Sequence, residues 1–95
     1  MIEVIVERHF QPGRMEDTAR LLAEMRRRVM RQNGYVSGEI LQSADNPSVW
    51  IDTSTWTYSD QWKKWETTPE HNEIQCEVER LLAAPEKVFI CNVIR

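Results

Sequence analysis

Ninety-five residues, 41% hydrophobic and 28% charged, suit one globular domain spanning 1–95 rather than a disordered segment. The net charge of −3 lacks the basic surplus that nucleic acid or an anionic bilayer demands, and no apolar run approaches the ~20 residues of a membrane span. Met1-Ile2-Glu3-Val4 has no basic or long apolar segment, and Cys76 and Cys91 lack disulfide-framework or metal spacing, so a cytoplasmic protein with reduced thiols is expected.

Residues 2–10 begin as a strand, with Ile2, Val4 and Val6 alternating against Glu3, Ile5 and Glu7. Pro12-Gly13 breaks it. Met15, Ala19, Leu22, Met25 and Val29 then recur at helical spacing up to Gln32, and Asn33-Gly34 supplies a stop. Tyr35 to Gln42 alternates again, with Val36, Gly38 and Ile40 on one face and Tyr35, Ser37, Glu39 and Leu41 on the other. The turn-rich Ala44–Ser48 segment leads to a strand from Val49 to Trp56, completing a hairpin. Ser59 is a candidate N-cap for a short helix carrying Trp62 and Trp65, and Thr68-Pro69 restarts it. His71, Ile74, Val78, Leu81 and Leu82 form its stripe, and Val88 to Ile94 makes a last strand.

The order β-α-β-β-α-β predicts a ferredoxin-like α+β sandwich: a four-stranded antiparallel sheet with its helices on one face. Arginines of the first helix face glutamates of the second if the two pack side by side. The other sheet face mixes Ile5, Leu41 and Phe89 or Ile90 with Glu3, Glu7, Glu39 and Asn92, which is too apolar to be left bare. A second copy packed there, giving a homodimer, is the expected solution.

These residues resemble the antibiotic biosynthesis monooxygenase family of the dimeric α/β barrel superfamily. The resemblance runs through the opening Ile-Val-Glu-Arg strand, Pro12-Gly13, Gln32 to Glu39 and Asp45-Asn46-Pro47. It continues in Thr55-Trp56, Trp62-x-x-Trp65, Pro69-Glu70-His71 and Leu81-Leu82-x-x-Pro85-Glu86-Lys87-Val88. It implies oxidation of an aromatic polyketide- or quinol-type molecule by dioxygen without metal or other cofactor, in a cavity between sheet and helices. A related branch degrades haem with a first-strand asparagine, a second-helix tryptophan and a later histidine. Trp65 matches that tryptophan, but Glu7 or Arg8 and Gln75 stand at the other two positions. Some polyketide-oxidising members carry an asparagine one turn before the tryptophan; here it is Gln61.

Trp65 is thus either a core wedge or the wall of a pocket, and Trp62 and Trp56 face the same choice with a structural role favoured. Trp50 belongs to the core or the dimer seam. His71 is a packing histidine or the base that deprotonates a phenolic substrate, since imidazole titrates near neutrality; Glu7 is the rival base. Arg8, if it points inward, needs Glu7, Glu39 or Asp52 as partner, or else a ligand oxyanion. Gln61 is the second candidate for holding that oxyanion. Catalytic candidates are therefore Trp65, His71 and Glu7, with Arg8, Gln61, Trp62 and Trp56 as substrate-binding candidates and no metal site. The rival class is a dimeric module that binds a small molecule, or regulates a partner, without chemistry.

Overall fold

Alternation on the first strand is realised in full. In the computed structural model, which describes residues 1–95, β1 (Ile2–His9) buries Ile2, Val4, Val6 and Arg8 and turns Glu3, Ile5, Glu7 and His9 the other way. It runs antiparallel between β3 (Val49–Trp56) and β4 (Lys87–Asn92), and β2 (Tyr35–Gln42) closes the far side, giving the order β2-β3-β1-β4. Helices α1 (Met15–Val29), α2 (Ser59–Glu66) and α3 (Pro69–Glu79) complete the ferredoxin-like α+β arrangement. Their apolar residues Leu22, Met25, Trp62, Trp65, Ile74 and Val78 join Ile2, Val4, Val6 and Trp56 of the sheet in one buried cluster. None of the helices is long and apolar enough to cross a membrane.

Three local details differ from the sequence reading, and a fourth settles a choice it left open. The α1 stripe is rotated: Thr18, Leu21, Leu22 and Met25 are buried, whereas Met15 and Ala19 are exposed. A bulge between Tyr35 and Ser37 inserts one residue in β2, so Tyr35 pairs with Trp56 while Gly38 and Ile40 pair with Ser54 and Asp52. Tyr35 therefore packs with Ile40 on the helix side. Tyr58, not Ser59, is the N-cap of α2, because the carboxamide of Gln61 accepts from the Tyr58 backbone N–H at 2.9 Å. On β4 the register Val4↔Ile90 and Ile5↔Phe89 puts Phe89 on the open face and Ile90 on the helix side.

Thr68 caps α3 as expected, its hydroxyl accepting from the His71 N–H at 3.2 Å, with Pro69 in the first turn. Charge does join the two long helices. Arg28 of α1 bridges Glu24 and Glu73 at 3.0 Å each and donates to the Glu70 carbonyl at 2.7 Å. These contacts fix the start of α3, and with it His71, relative to α1.

Candidate active site

A recessed cavity of about 370 Å³ lies between the sheet and the helices, within the ~300–1,000 Å³ typical of small-molecule sites. The sheet supplies Val6, Arg8, Asp52, Ser54 and Val88; α1 supplies Met25 and Val29. From α2 come Trp62 and Trp65, and from α3 His71 and Gln75. The spacing explains the grouping: Trp62 and Trp65 share one helix face, as do His71 and Gln75 one turn apart on α3. Trp65 meets the His71 ring edge-on with centroids 5.1 Å apart.

Arg8 is the buried cation of this cavity, 3% exposed. Its Nη1 donates to Asp52 at 3.4 Å, its Nη2 lies 3.6 Å from the Met25 sulfur, and its Nε stands 3.5 Å from a Glu86 oxygen without a hydrogen bond. Burial pushes the Asp52 carboxyl up, outweighing the attraction of Arg8 that pulls it down. Gln75 donates from Nε2 to Glu86 at 2.5 Å and to Glu79 at 3.2 Å, which leaves its Oε1 buried and unpartnered. The Nδ1 of His71 and the Nε1 of Trp62 are also buried without partners. Unsatisfied polar atoms around an open volume mark a place where a ligand gains hydrogen bonds the fold leaves unmade.

A family model described as antibiotic biosynthesis monooxygenase matches residues 1–76, from β1 into α3. The chain belongs to this family. Among solved structures, SnoaB from Streptomyces nogalater, a cofactor-independent oxygenase, aligns over 99% of this chain and 94% of its own, with a TM-score of 0.86 and 16% identity. Rv0793 from Mycobacterium tuberculosis aligns over 99% of this chain and 95% of its own, with a TM-score of 0.89 and 18% identity. At such identities the likeness is one of fold. Protein SchA from Streptomyces halstedii is 26% identical over 73 residues, 77% of this chain; those residues are 19% of SchA's length.

Within this monooxygenase-family fold, the structure sorts the candidate residues into two groups. Trp65, Trp62, His71 and Arg8 converge on the cavity. Glu7, Gln61 and Trp56 do not line it. Glu7 is turned to the opposite sheet face by the two-residue period of β1, and there it pairs with His9 at 2.7 Å. That contact, and more distantly Lys87, hold the Glu7 carboxyl below its ordinary value. Gln61 lies over Gly34, whose φ of +91° brings the backbone so close that a Cβ there would overlap the carboxamide. Trp56 is fully buried at the other end of the interior, donating to the Ser54 hydroxyl at 2.9 Å. Trp50 packs edge-on to Phe10 beside the core.

Glu86 and Gln75 carry much of the site's polarity, and sequence reasoning missed the first and met the second only as a haem-branch position. A signal existed for Glu86. Pairing Glu7↔Lys87 in an antiparallel β1–β4 ladder sets residue 86 beside Arg8, so a carboxylate there is a natural partner for an inward arginine.

Proposed function

We propose that this protein is a small oxygenase of the cofactor-independent kind, acting on a phenolic aromatic carbon acid of the anthrone or quinol type. The observation that carries this reading is the cavity itself, walled by Trp62 and Trp65 and set with a histidine and a buried arginine. The indoles offer flat apolar surface for an aromatic ring. Imidazole at His71 takes the proton from the substrate, and Arg8 faces the enolate oxygen that results, stabilising it by a charge-assisted hydrogen bond. The enolate gives one electron to dioxygen, and recombination of substrate radical with superoxide forms the carbon–oxygen bond. Protonation by the His71 imidazolium gives a hydroperoxide. Loss of a second ring proton then cleaves the O–O bond, so a CH₂ and O₂ become a carbonyl and water. A dry pocket favours the sequence by strengthening both electrostatic contacts.

The test is oxygen uptake with a panel of anthrones and quinols, using ¹⁸O₂ and mass analysis of product. One labelled oxygen per product is expected, with uptake lowered about 10²–10⁴-fold in His71→Ala. Uptake no faster than buffer throughout the panel would remove catalysis. One observation favours the rival binding-module reading: the carboxamide of Gln61 is committed to capping α2 rather than to the cavity. Tight ligand binding without uptake would therefore establish that reading.

The open sheet face supports self-association. Ile5 and Ile51 are half-buried beside the exposed Leu41 and Phe89, forming an apolar strip flanked by Glu3, Glu39 and Glu7. A homodimer packed through this face buries the strip, and sedimentation at micromolar concentration tests it. Two free thiols, Cys76 and Cys91, suit a reducing cytoplasm.

A further inference from the structure

Charged residues on the floor of the cavity sit together, with Arg8 shared between Asp52 at 3.4 Å and Glu86 at 3.5 Å. Ser54 is the next helix-facing residue on β3 after Asp52, about 7 Å along the strand, and it also lines the cavity. It is 8% exposed. Its hydroxyl accepts from the Trp56 Nε1 at 2.9 Å, and its own proton has no acceptor in the fold. Trp62 lines the cavity from α2 and borders the same end, since its ring centroid lies 6.1 Å from that of Trp56.

Trp62 is 7% exposed, and its Nε1 is buried without a partner. A buried indole N–H usually finds an acceptor, and leaving it unpaired costs more than a made bond returns. Unlike the Gln75 amide or the His71 imidazole, an indole has no second orientation or tautomer that could make it an acceptor. Two donors therefore lie at the Trp56 end of the hollow. Trp56 strengthens one of them, because a hydroxyl that accepts a hydrogen bond is polarised to donate its own. Neither donor carries a formal charge, so the pair suits a neutral oxygen, whereas an anionic one is better held by Arg8.

We infer that Trp62 Nε1–H and Ser54 Oγ–H hold a neutral carbonyl oxygen of the ligand, on the edge of the ring system away from the oxygen that Arg8 takes. This rests on the cavity being the substrate site proposed above, and it narrows the ligands to those with oxygens on opposite edges. An anthrone whose enolate oxygen sits at Arg8 has its CH₂ on the far edge. The carbonyl created there by oxidation then comes within reach of the same two donors. Trp62 is thus a specificity-determining donor as well as a wall.

Isothermal titration of the intact protein under nitrogen tests the inference with two probes, 6-hydroxy-2-tetralone and its ketone-free counterpart 5,6,7,8-tetrahydro-2-naphthol. The ketone is expected to bind about tenfold tighter, the worth of one or two neutral hydrogen bonds. Its infrared carbonyl stretch, read with a ¹³C label, should lie as far below the hexane value as it does in water. In Trp62→Phe, affinity for the ketone should fall severalfold while that for the phenol holds, and the stretch should move towards the hexane value. Ser54→Ala should move the stretch the same way. The parent protein alone decides the matter should neither variant fold. Equal affinity for the two probes, or a bound stretch at the hexane value, overturns the donor pair while leaving an aromatic pocket in place. Equal loss of both probes in Trp62→Phe also overturns it, since Trp62 is then a wall only. Failure of both probes to bind the parent overturns the donor pair and the pocket reading together.

Discussion

Trp56 and Trp65 are both shut from solvent, at 0% and 2% exposure, but their surroundings differ. Trp56 sits at the closed end of the interior, edge-on to Tyr35 at 5.7 Å and Trp62 at 6.1 Å, with its N–H satisfied by Ser54. Trp65 borders an open volume and touches the His71 ring. The cause lies in the sheet beneath. Along paired positions from Ile2↔Trp56 through Val4↔Ser54 to Val6↔Asp52, the helix-facing pairs pass from large and apolar to small or charged. Arg8 then follows on β1. Apolar bulk fills the first end, whereas a charged cluster at the second is held apart by its own hydrogen bonds and leaves a hollow. One fold thus uses the same side chain as a wedge and as a wall.

The largest expected effect breaks that comparison directly. Trp56→Ala should cost about 3–5 kcal/mol of stability in urea denaturation, as for other large aromatic truncations in packed interiors. Trp65→Ala should cost about 2 kcal/mol, because its neighbours already border empty space and lose fewer contacts. Ligand titration should rank them the other way, with the Trp65 variant losing affinity for anthrones and quinols. Equal stability losses would mean that the hollow contributes nothing to how Trp65 is held.

Arg8→Met comes next. It removes the cation and leaves Asp52 and Glu86 facing one another across a recess, an uncompensated arrangement that should cost about 3 kcal/mol at neutral pH. Denaturation at acid pH, where the carboxyls are protonated, should recover part of the loss.

Much of this division was legible in the amino-acid order. Helical spacing joined Trp62 to Trp65, and the Thr68-Pro69 cap placed His71 in the first turn of α3. Facing was less secure. The period of two on β1 already separated Glu7 from Arg8, but which residue turned inward depended on Val4 and Val6 sharing the Arg8 side, a charged residue in an apolar row. Gln61 misled because capping and ligand binding call for the same amide chemistry. Only the close approach of Gly34 decides that its carboxamide stays on the helix end. The bulge after Tyr35 leaves no trace in periodicity, since one extra residue looks like continued alternation. Glu86 needed the β1–β4 register, a long-range pairing that local pattern does not contain.

A smaller effect sharpens the same boundary. Gln61→Ala removes the acceptor for the Tyr58 N–H, so α2 should lose about 1 kcal/mol of capping. Affinity for anthrones and quinols should be unchanged. An affinity loss well beyond the stability loss would return Gln61 to the cavity.

The smallest effect concerns sign rather than size. Burial raises the Asp52 carboxyl above its unfolded value, so the folded chain holds that proton more tightly than the unfolded chain does. The stability this gives is present at acid pH and lost as pH rises through the raised value. A neutral carboxamide in its place has no such dependence, so Asp52→Asn should be slightly more stable than the parent at pH 7, the gap closing towards pH 4. Glu24 on the outer surface of α1 supplies the opposite case. Hydrogen bonds from Arg28 and Arg27 lower its carboxyl, and that contribution is present at neutral pH and lost on acidification. Glu24→Gln should therefore be slightly less stable than the parent at pH 7, with this gap also closing in acid. Urea midpoints followed from pH 8 to pH 2 should approach the parent from opposite sides, the Asp52→Asn gap closing first and the Glu24→Gln gap only below the ordinary glutamate value of 4.5. If Asp52→Asn falls below the parent at pH 7, pairing with Arg8 outweighs burial, and the hollow end is held together by its charges rather than merely tolerating them.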